Sequence, residues 1–181
     1  MSEPPPLPTL SSLPAPPLHP DVGLLAGLVG SWRGEGVGEY PTIDTFSYTE
    51  EVTFGHVGKP FLTYGQRTRA GDDGRPLHAE TGYWRAVAPE RVELVLAHPT
   101  GVSEIATGTV HVDPADDPAG VTVIELVSTM IGLTPTAQSV TALERTFRLH
   151  GDTLDYTLRM AAVGEPMTHH LAASLRRVVA P

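Results

Sequence analysis

The chain has no cysteine, which removes disulfides, thiolate metal sites, iron–sulfur clusters and cysteine nucleophiles together. Any metal held by the protein must be ligated by histidine, carboxylate or another oxygen. Lysine is almost absent: Lys59 is the only one, and the formal net charge is −9. No strong positive field is available to condense on a phosphate backbone or an anionic membrane, so neither nucleic acid nor membrane is an expected partner. Residues 1–20 contain no Lys or Arg and no long apolar run, and so resemble neither a signal peptide nor a membrane anchor. Without an export signal, a cytoplasmic location is expected.

What the chain has in abundance is turn chemistry. Its 181 residues suffice for one domain with a sizeable core, and 18 Gly with 18 Pro argue for many turns and an all-β protein. Eight of the prolines fall in residues 1–20, which read as a disordered Pro-rich leader ahead of a domain over 21–181. Asp21 is placed to cap a short helix over Val22–Leu28. After it, extended segments are expected at about Trp32–Gly38, Phe46–His56, Phe61–Arg69, His78–Val87, Val92–Ala97, Val102–Val112, Val121–Thr129, Ser139–Leu149, Leu154–Ala161 and Thr168–Val179. Turn signals such as Gly71-Asp72-Asp73-Gly74, Pro99-Thr100-Gly101 and His150-Gly151-Asp152 separate them. Leu154, Tyr156, Leu158 and Met160 recur at period two with polar residues between them, the pattern of a half-buried strand. Roughly ten sequential antiparallel strands dispose of their edges most simply by closing, which predicts an up-and-down β-barrel wide enough for a small ligand.

Eight histidines accompany the missing cysteines. His19, His56, His111 and His150 fall in the leader, at strand ends or in turns, and read as bland. His78, His98, His169 and His170 remain as candidates. No pair has the helical His-Glu-x-x-His spacing of a zinc protease, and no serine sits in a Gly-x-Ser-x-Gly elbow. The adjacent acids Glu50 and Glu51 must face opposite sides of a strand. So must His169 and His170. His169 shares a phase with Leu171, Ala173 and Leu175, the amphipathic choice for the inward side; His170 shares one with Ala172 and Ser174, whose small side chains leave room for a bulky ligand. The pattern leaves both open.

Gly30-Ser31-Trp32-Arg33-Gly34-Glu35-Gly36 lacks the strand-before, helix-after order of a phosphate-binding loop. Its glycines suit a barrel corner and its indole a plug for the barrel end, stacked with Arg176 or Arg177 of the last strand. Pairing of the first and last strands would let Trp32 and a histidine ligand frame one pocket.

These segments, with Tyr40-Pro41-Thr42-Ile43, Phe46 and Tyr48 ahead of Glu50-Glu51, His56-Val57-Gly58-Lys59-Pro60, Leu77-His78-Ala79-Glu80-Thr81-Gly82-Tyr83 and the terminal His170-Leu171, resemble the nitrobindin family in the same order over about residues 24–179. The resemblance implies a ten-stranded antiparallel barrel holding one haem b per chain in an open cleft. It implies a ferric iron ligated by a single histidine, with isomerisation of peroxynitrite to nitrate and binding of nitric oxide as its chemistry. The family's ligand, the His directly before the Leu of the last strand, falls on His170, and its other haem contact on Thr42. Local motif match places His78 and Met160 beside the haem, with His98 a neighbour. A homodimer is compatible with such a barrel. The alternative is a non-catalytic carrier of an apolar small molecule such as a fatty acid, with Arg176 facing the cavity to take the carboxylate.

Overall fold

The computed structural model describes residues 15–114 and 120–179. Residues 1–14 of the expected leader, and 115–119 of the acidic loop, lie outside the described residues. Ten strands run in chain order: β1 (Gly30–Tyr40), β2 (Ile43–Gly55), β3 (Phe61–Ala70), β4 (Pro76–Ala88), β5 (Arg91–Ala97), β6 (Val102–Asp113), β7 (Val121–Leu133), β8 (Val140–His150), β9 (Thr153–Ala162) and β10 (Thr168–Val178). Each pairs with its sequence neighbours, and β1 pairs antiparallel with β10, so the sheet closes into a barrel. Closure gives each of these ten strands a neighbour on both sides.

One end of the barrel is filled. A 3₁₀ helix over Pro20–Leu28 lies across it and buries Val22, Leu25 and Leu28. The expected helix is thus present but tighter, and it breaks at Gly23, whose φ of 56° is outside the helical region. The cap is two residues earlier than expected: His19 Nδ1 accepts the Asp21 N–H, and Asp21 occupies the first turn. Trp32 is completely buried beneath the helix and its Nε1 donates to the Leu28 carbonyl at 2.8 Å. Arg177 fastens the arrangement. Its guanidinium lies 4.2 Å over the indole and donates to the Val29 and Gly27 carbonyls at 2.6 and 2.7 Å, offsetting the negative end of the helix.

Two glycines of β1 are required by close approach. A Cβ on Gly34 would stand 2.0 Å from the Ser174 carbonyl oxygen, and one on Gly36 would enter the Tyr48 ring. Gly34 is the corner at which β1 folds against β10, and Gly36 gives Tyr48 the space to lie flat on the strand beside it. Above the plug, Phe54, Tyr64, Trp84 and Phe147 form a chain of ring contacts at centroid separations of 5.1 to 5.9 Å. This aromatic layer is the floor of the other half of the barrel. That half is hollow.

Trp32 therefore belongs to the closed end, where it pairs with Arg177, whereas His170 lies near the opposite end of β10. The two do not frame a common pocket, because antiparallel pairing sets the start of β1 against the end of β10.

Candidate functional site

The hollow end is a cavity of about 780 Å³, within the range of small-molecule and cofactor sites. Inward-facing positions of β2, β3, β4, β8, β9 and β10 line it. One wall is apolar, with Phe46, Leu143, Leu158, Met160 and Leu171. The other is polar and buried.

His170 reaches the cavity through an irregularity. In the β10–β9 ladder His169 pairs with Arg159 and Leu171 with Leu158, so His170 is the extra residue of a β-bulge. Past the bulge Leu171 lines the cavity and Ala173 and Leu175 are buried, as the amphipathic phase requires. Strict alternation would then aim His169 inward; the bulge aims His170 there instead, and His169 is not among the lining residues. His170 Nδ1 is 3.1 Å from the Glu39 carbonyl oxygen. A carbonyl only accepts, so in the neutral ring Nδ1 carries the proton and Nε2 carries the lone pair. Burial lowers the His170 pKa, against the pull of the Glu39 bond and with the adjacent His169 adding to the drop, so the neutral form is favoured. Tyr40 packs edge-to-face on the ring at 5.4 Å, and its hydroxyl, accepting the Ala162 N–H at 2.9 Å, fixes it to β9. A neutral imidazole held through Nδ1, with Nε2 available, is the form that ligates a metal.

The polar wall consists of groups that occupy apolar phases of their strands. Tyr156 donates to Glu50 at 2.7 Å, Tyr48 donates to Tyr156 at 3.0 Å, and Gln66 donates to Glu50 at 3.2 Å. Burial pushes the Glu50 carboxyl up to about 7, with the Tyr156 and Gln66 hydrogen bonds opposing and the Glu80 charge reinforcing. Beside it, Tyr64 donates to Glu80 at 2.7 Å, and Arg145 Nη1 donates to both oxygens of Glu104 at 2.5 and 2.6 Å. Burial opposes the Arg145 charge, but Glu80 and Glu104 more than offset it. Burial likewise opposes the Glu104 charge, yet His98 and Arg145 hold its pKa below the ordinary value. His78 Nε2 and His98 Nδ1 are 3.1 Å apart, and burial lowers the His78 pKa.

Of the residues singled out from the sequence, His170, His78, Met160 and His98 line this one cavity. Thr42 does not; it is exposed on the β1–β2 turn, one residue before the first lining residue, Ile43. Arg176 is exposed and lies outside the cavity, in the phase opposite the buried Leu175. Glu50 is buried while Glu51 points outward to Arg33 and Arg67, as alternation requires. No local sequence motif joins Glu50, Gln66, Glu80, Glu104 and Arg145 into the network they form. Its signal was present: Arg145 stands between Leu143 and Phe147 in the inward phase, and Glu104 between Val102 and Ala106.

A family profile described as "THAP4-like, heme-binding beta-barrel domain" matches residues 21–177. The chain is 59% identical over 164 residues to a protein of Nocardia farcinica named peroxynitrite isomerase, covering 91% of this chain and 95% of that one. It is 60% identical over 160 residues to a Mycobacterium ulcerans protein named peroxynitrite isomerase 2, covering 88% and 96%. The crystal structure of Rv2717c from M. tuberculosis superposes with a TM-score of 0.84 at 54% identity, covering 90% of this chain and 100% of that one.

Proposed function

The chain belongs to the nitrobindin family, the THAP4-like haem-binding β-barrels, and from that membership we propose that it is a peroxynitrite isomerase that carries one ferric haem b and also binds nitric oxide. The observation that carries the reading is the His170 imidazole: it is re-aimed into the cavity by a bulge and tied through Nδ1 to the Glu39 carbonyl, with Nε2 free to ligate. The residues present fit the group, since a flat macrocycle needs an apolar wall and one axial nitrogen, and the cavity offers both. When bound, haem would supply the iron chemistry for isomerising peroxynitrite to nitrate, which needs no external electron.

The chain's own contribution is to orient, to exclude and to tune. His170 would ligate the iron through Nε2, and the carbonyl of Glu39 sets its tautomer and raises its basicity. Tyr40 limits rotation of the ring. Met160 and His78, which line the cavity, would help to hold the group, and Thr42, on the rim turn one residue before the lining begins, would be its further contact. A homodimer is the assembly we favour. Tyr83, Val95, Ile105 and Met130 stand in register across β4 to β7 as an exposed apolar row, which supports pairing with a second copy.

The fatty-acid carrier has less support. Arg176, its expected anchor, is exposed outside the cavity, and Arg145, which does line it, is already paired with Glu80 and Glu104. The test is reconstitution of wild type and His170→Ala with haem, read by the Soret band and by stopped-flow peroxynitrite decay. Loss of both in the variant is expected. Retention of an unchanged Soret band and decay rate would remove His170 from the assignment.

A further inference from the structure

We propose that His78, Glu80 and His98 form a second metal site, for a first-row divalent ion such as zinc, in the polar wall of the cavity. Of its three ligands only His78 is also placed beside the haem, and the haem ligand His170 takes no part.

The ligands are brought together by sheet geometry. His78 and Glu80 are two apart on β4 and so share a face. Thr81 pairs with Ala97 across β4 and β5, which sets His98, the next residue after β5, beside Glu80. Both backbones are held: the His98 N–H donates to the Val102 carbonyl at 2.9 Å, and the His78 N–H to Thr68 Oγ1 at 3.1 Å. The side chains present one ligand atom each within 4.8 Å of one another.

The separations suit a metal. Ligands at 2.0–2.2 Å in a tetrahedron lie about 3.3–3.6 Å apart. His78 Nε2 to His98 Nδ1 is 3.1 Å, and His98 Nδ1 to Glu80 Oε2 is 3.4 Å. Two edges of the polyhedron are in place to within a few tenths of an ångström. A supporting shell is present too. Tyr64 fixes the other Glu80 oxygen at 2.7 Å, and Glu104 stands 3.8 Å from His98 Nε2, the arrangement in which a carboxylate orients a ligating imidazole.

His98 supplies the independent observation. Its side chain is only 7% exposed and its Nε2 has no hydrogen-bond partner. The two ring nitrogens face two carboxylates, Glu80 on the Nδ1 side and Glu104 on the Nε2 side. A neutral ring has one N–H, so either tautomer turns a lone pair on a carboxylate. A cation at Nδ1, shared with Glu80, removes that conflict and leaves Nε2–H to face Glu104. It also relieves the charge imbalance of Glu80 and Glu104 against Arg145. Two imidazoles and one carboxylate suit zinc, cobalt or ferrous iron over magnesium or calcium, and three protein ligands leave a position for water.

The experiment uses the full-length haem-free chain after chelator treatment. Calorimetric titration with Zn²⁺ is expected to give one ion per chain, Co²⁺ to give visible absorption of a low-coordinate site, and Mg²⁺ to give nothing. His98→Gln and Glu80→Gln should each weaken zinc binding at least tenfold, while His170→Ala should leave it unchanged. In wild type, zinc should shift the ring-nitrogen NMR signals of His78 and His98, a readout that needs no variant to fold. Absence of zinc binding, equal affinity in His98→Gln, or loss of binding in His170→Ala would overturn the proposal. The haem assignment fails only through His170, so the two outcomes are separable.

Discussion

Replacing Glu50 by glutamine should abolish a pH-dependent component of stability. Burial raises the folded-state pKa of Glu50 from 4.5 to about 7. Between those values the folded chain holds a proton that the unfolded chain has released, so stability is fully present below the unfolded pKa and falls as pH rises toward 7. At 1.36 kcal/mol per unit, the loss between pH 4.5 and 7 is about 3 kcal/mol. For a chain of this size that corresponds to roughly 6–12 °C in Tm. His78 and His170 act in the opposite sense, since their folded pKa values are lowered and the unfolded chain takes up their protons first as pH falls. Those two histidines are common to wild type and variant, so the difference between the two profiles isolates Glu50. Glutamine keeps the shape, and its amide can still accept from Gln66 or Tyr156. The assay is thermal unfolding of the haem-free full-length chain from pH 5 to 8. Wild type should lose stability relative to Glu50→Gln as pH rises and the gap should level off above 7. Parallel profiles across the range would show that Glu50 titrates as an ordinary carboxyl and that the burial argument is wrong.

Arg145→Met would strand Glu104 and Glu80 in the wall without the guanidinium that pairs with both, and should destabilise by about 3–5 kcal/mol, with much of the loss recovered when Glu104→Gln is added; denaturant midpoints of the single and double variants check this. Gly34→Ala sets a methyl against the Ser174 carbonyl, where backbone rather than a side chain must yield, and should cost about 3 kcal/mol, read as a fall in denaturation midpoint.

The strands were legible because local and global signals agree. Turn residues fall where the barrel turns, and apolar residues recur at period two on the side that becomes the interior. The differences lie where one of those signals is weak. β2 begins at Ile43 rather than Phe46, because Pro41 and Thr42 alone make the turn, and β7 runs on to Leu133 through Met130 and Ile131 instead of stopping at Thr129. The polar wall was harder to read, for a physical reason. A search for chemistry along a chain looks for residues close in sequence, whereas a barrel assembles its interior from single residues on many strands. Glu50, Gln66, Glu80, Glu104 and Arg145 come from five of them. What marks Glu50, Gln66, Glu104 and Arg145 is a charged or amide side chain in a phase otherwise occupied by Tyr48 and Val52, Tyr64, Val102 and Ala106, or Leu143 and Phe147. Burying such a group is costly unless it is paired, so its appearance in the inward phase is itself evidence that a partner lies across the barrel.

The same reasoning explains why strict alternation would aim His169 at the cavity although His170 is the one that lines it. From Leu171 to Leu175 the phase of β10 is fixed by the core, and counting back by twos reaches His169. The ladder is continuous against β1 as far as Gly38 and Leu171, but against β9 it slips between His169 and Leu171. One inserted residue exchanges inside for outside over everything that precedes it. The slip falls beside the β9–β10 turn, where Val163 and Gly164 both have positive φ, and at the open end, where few core contacts depend on register. It frees His170 from the strict ladder and sets its Nδ1 on the Glu39 carbonyl, near the end of β1. A residue on a regular strand has its direction set by its neighbours' need for burial. A bulged residue is released from that constraint, which is why the candidate ligand sits at the one position of β10 that the hydrophobic pattern does not govern.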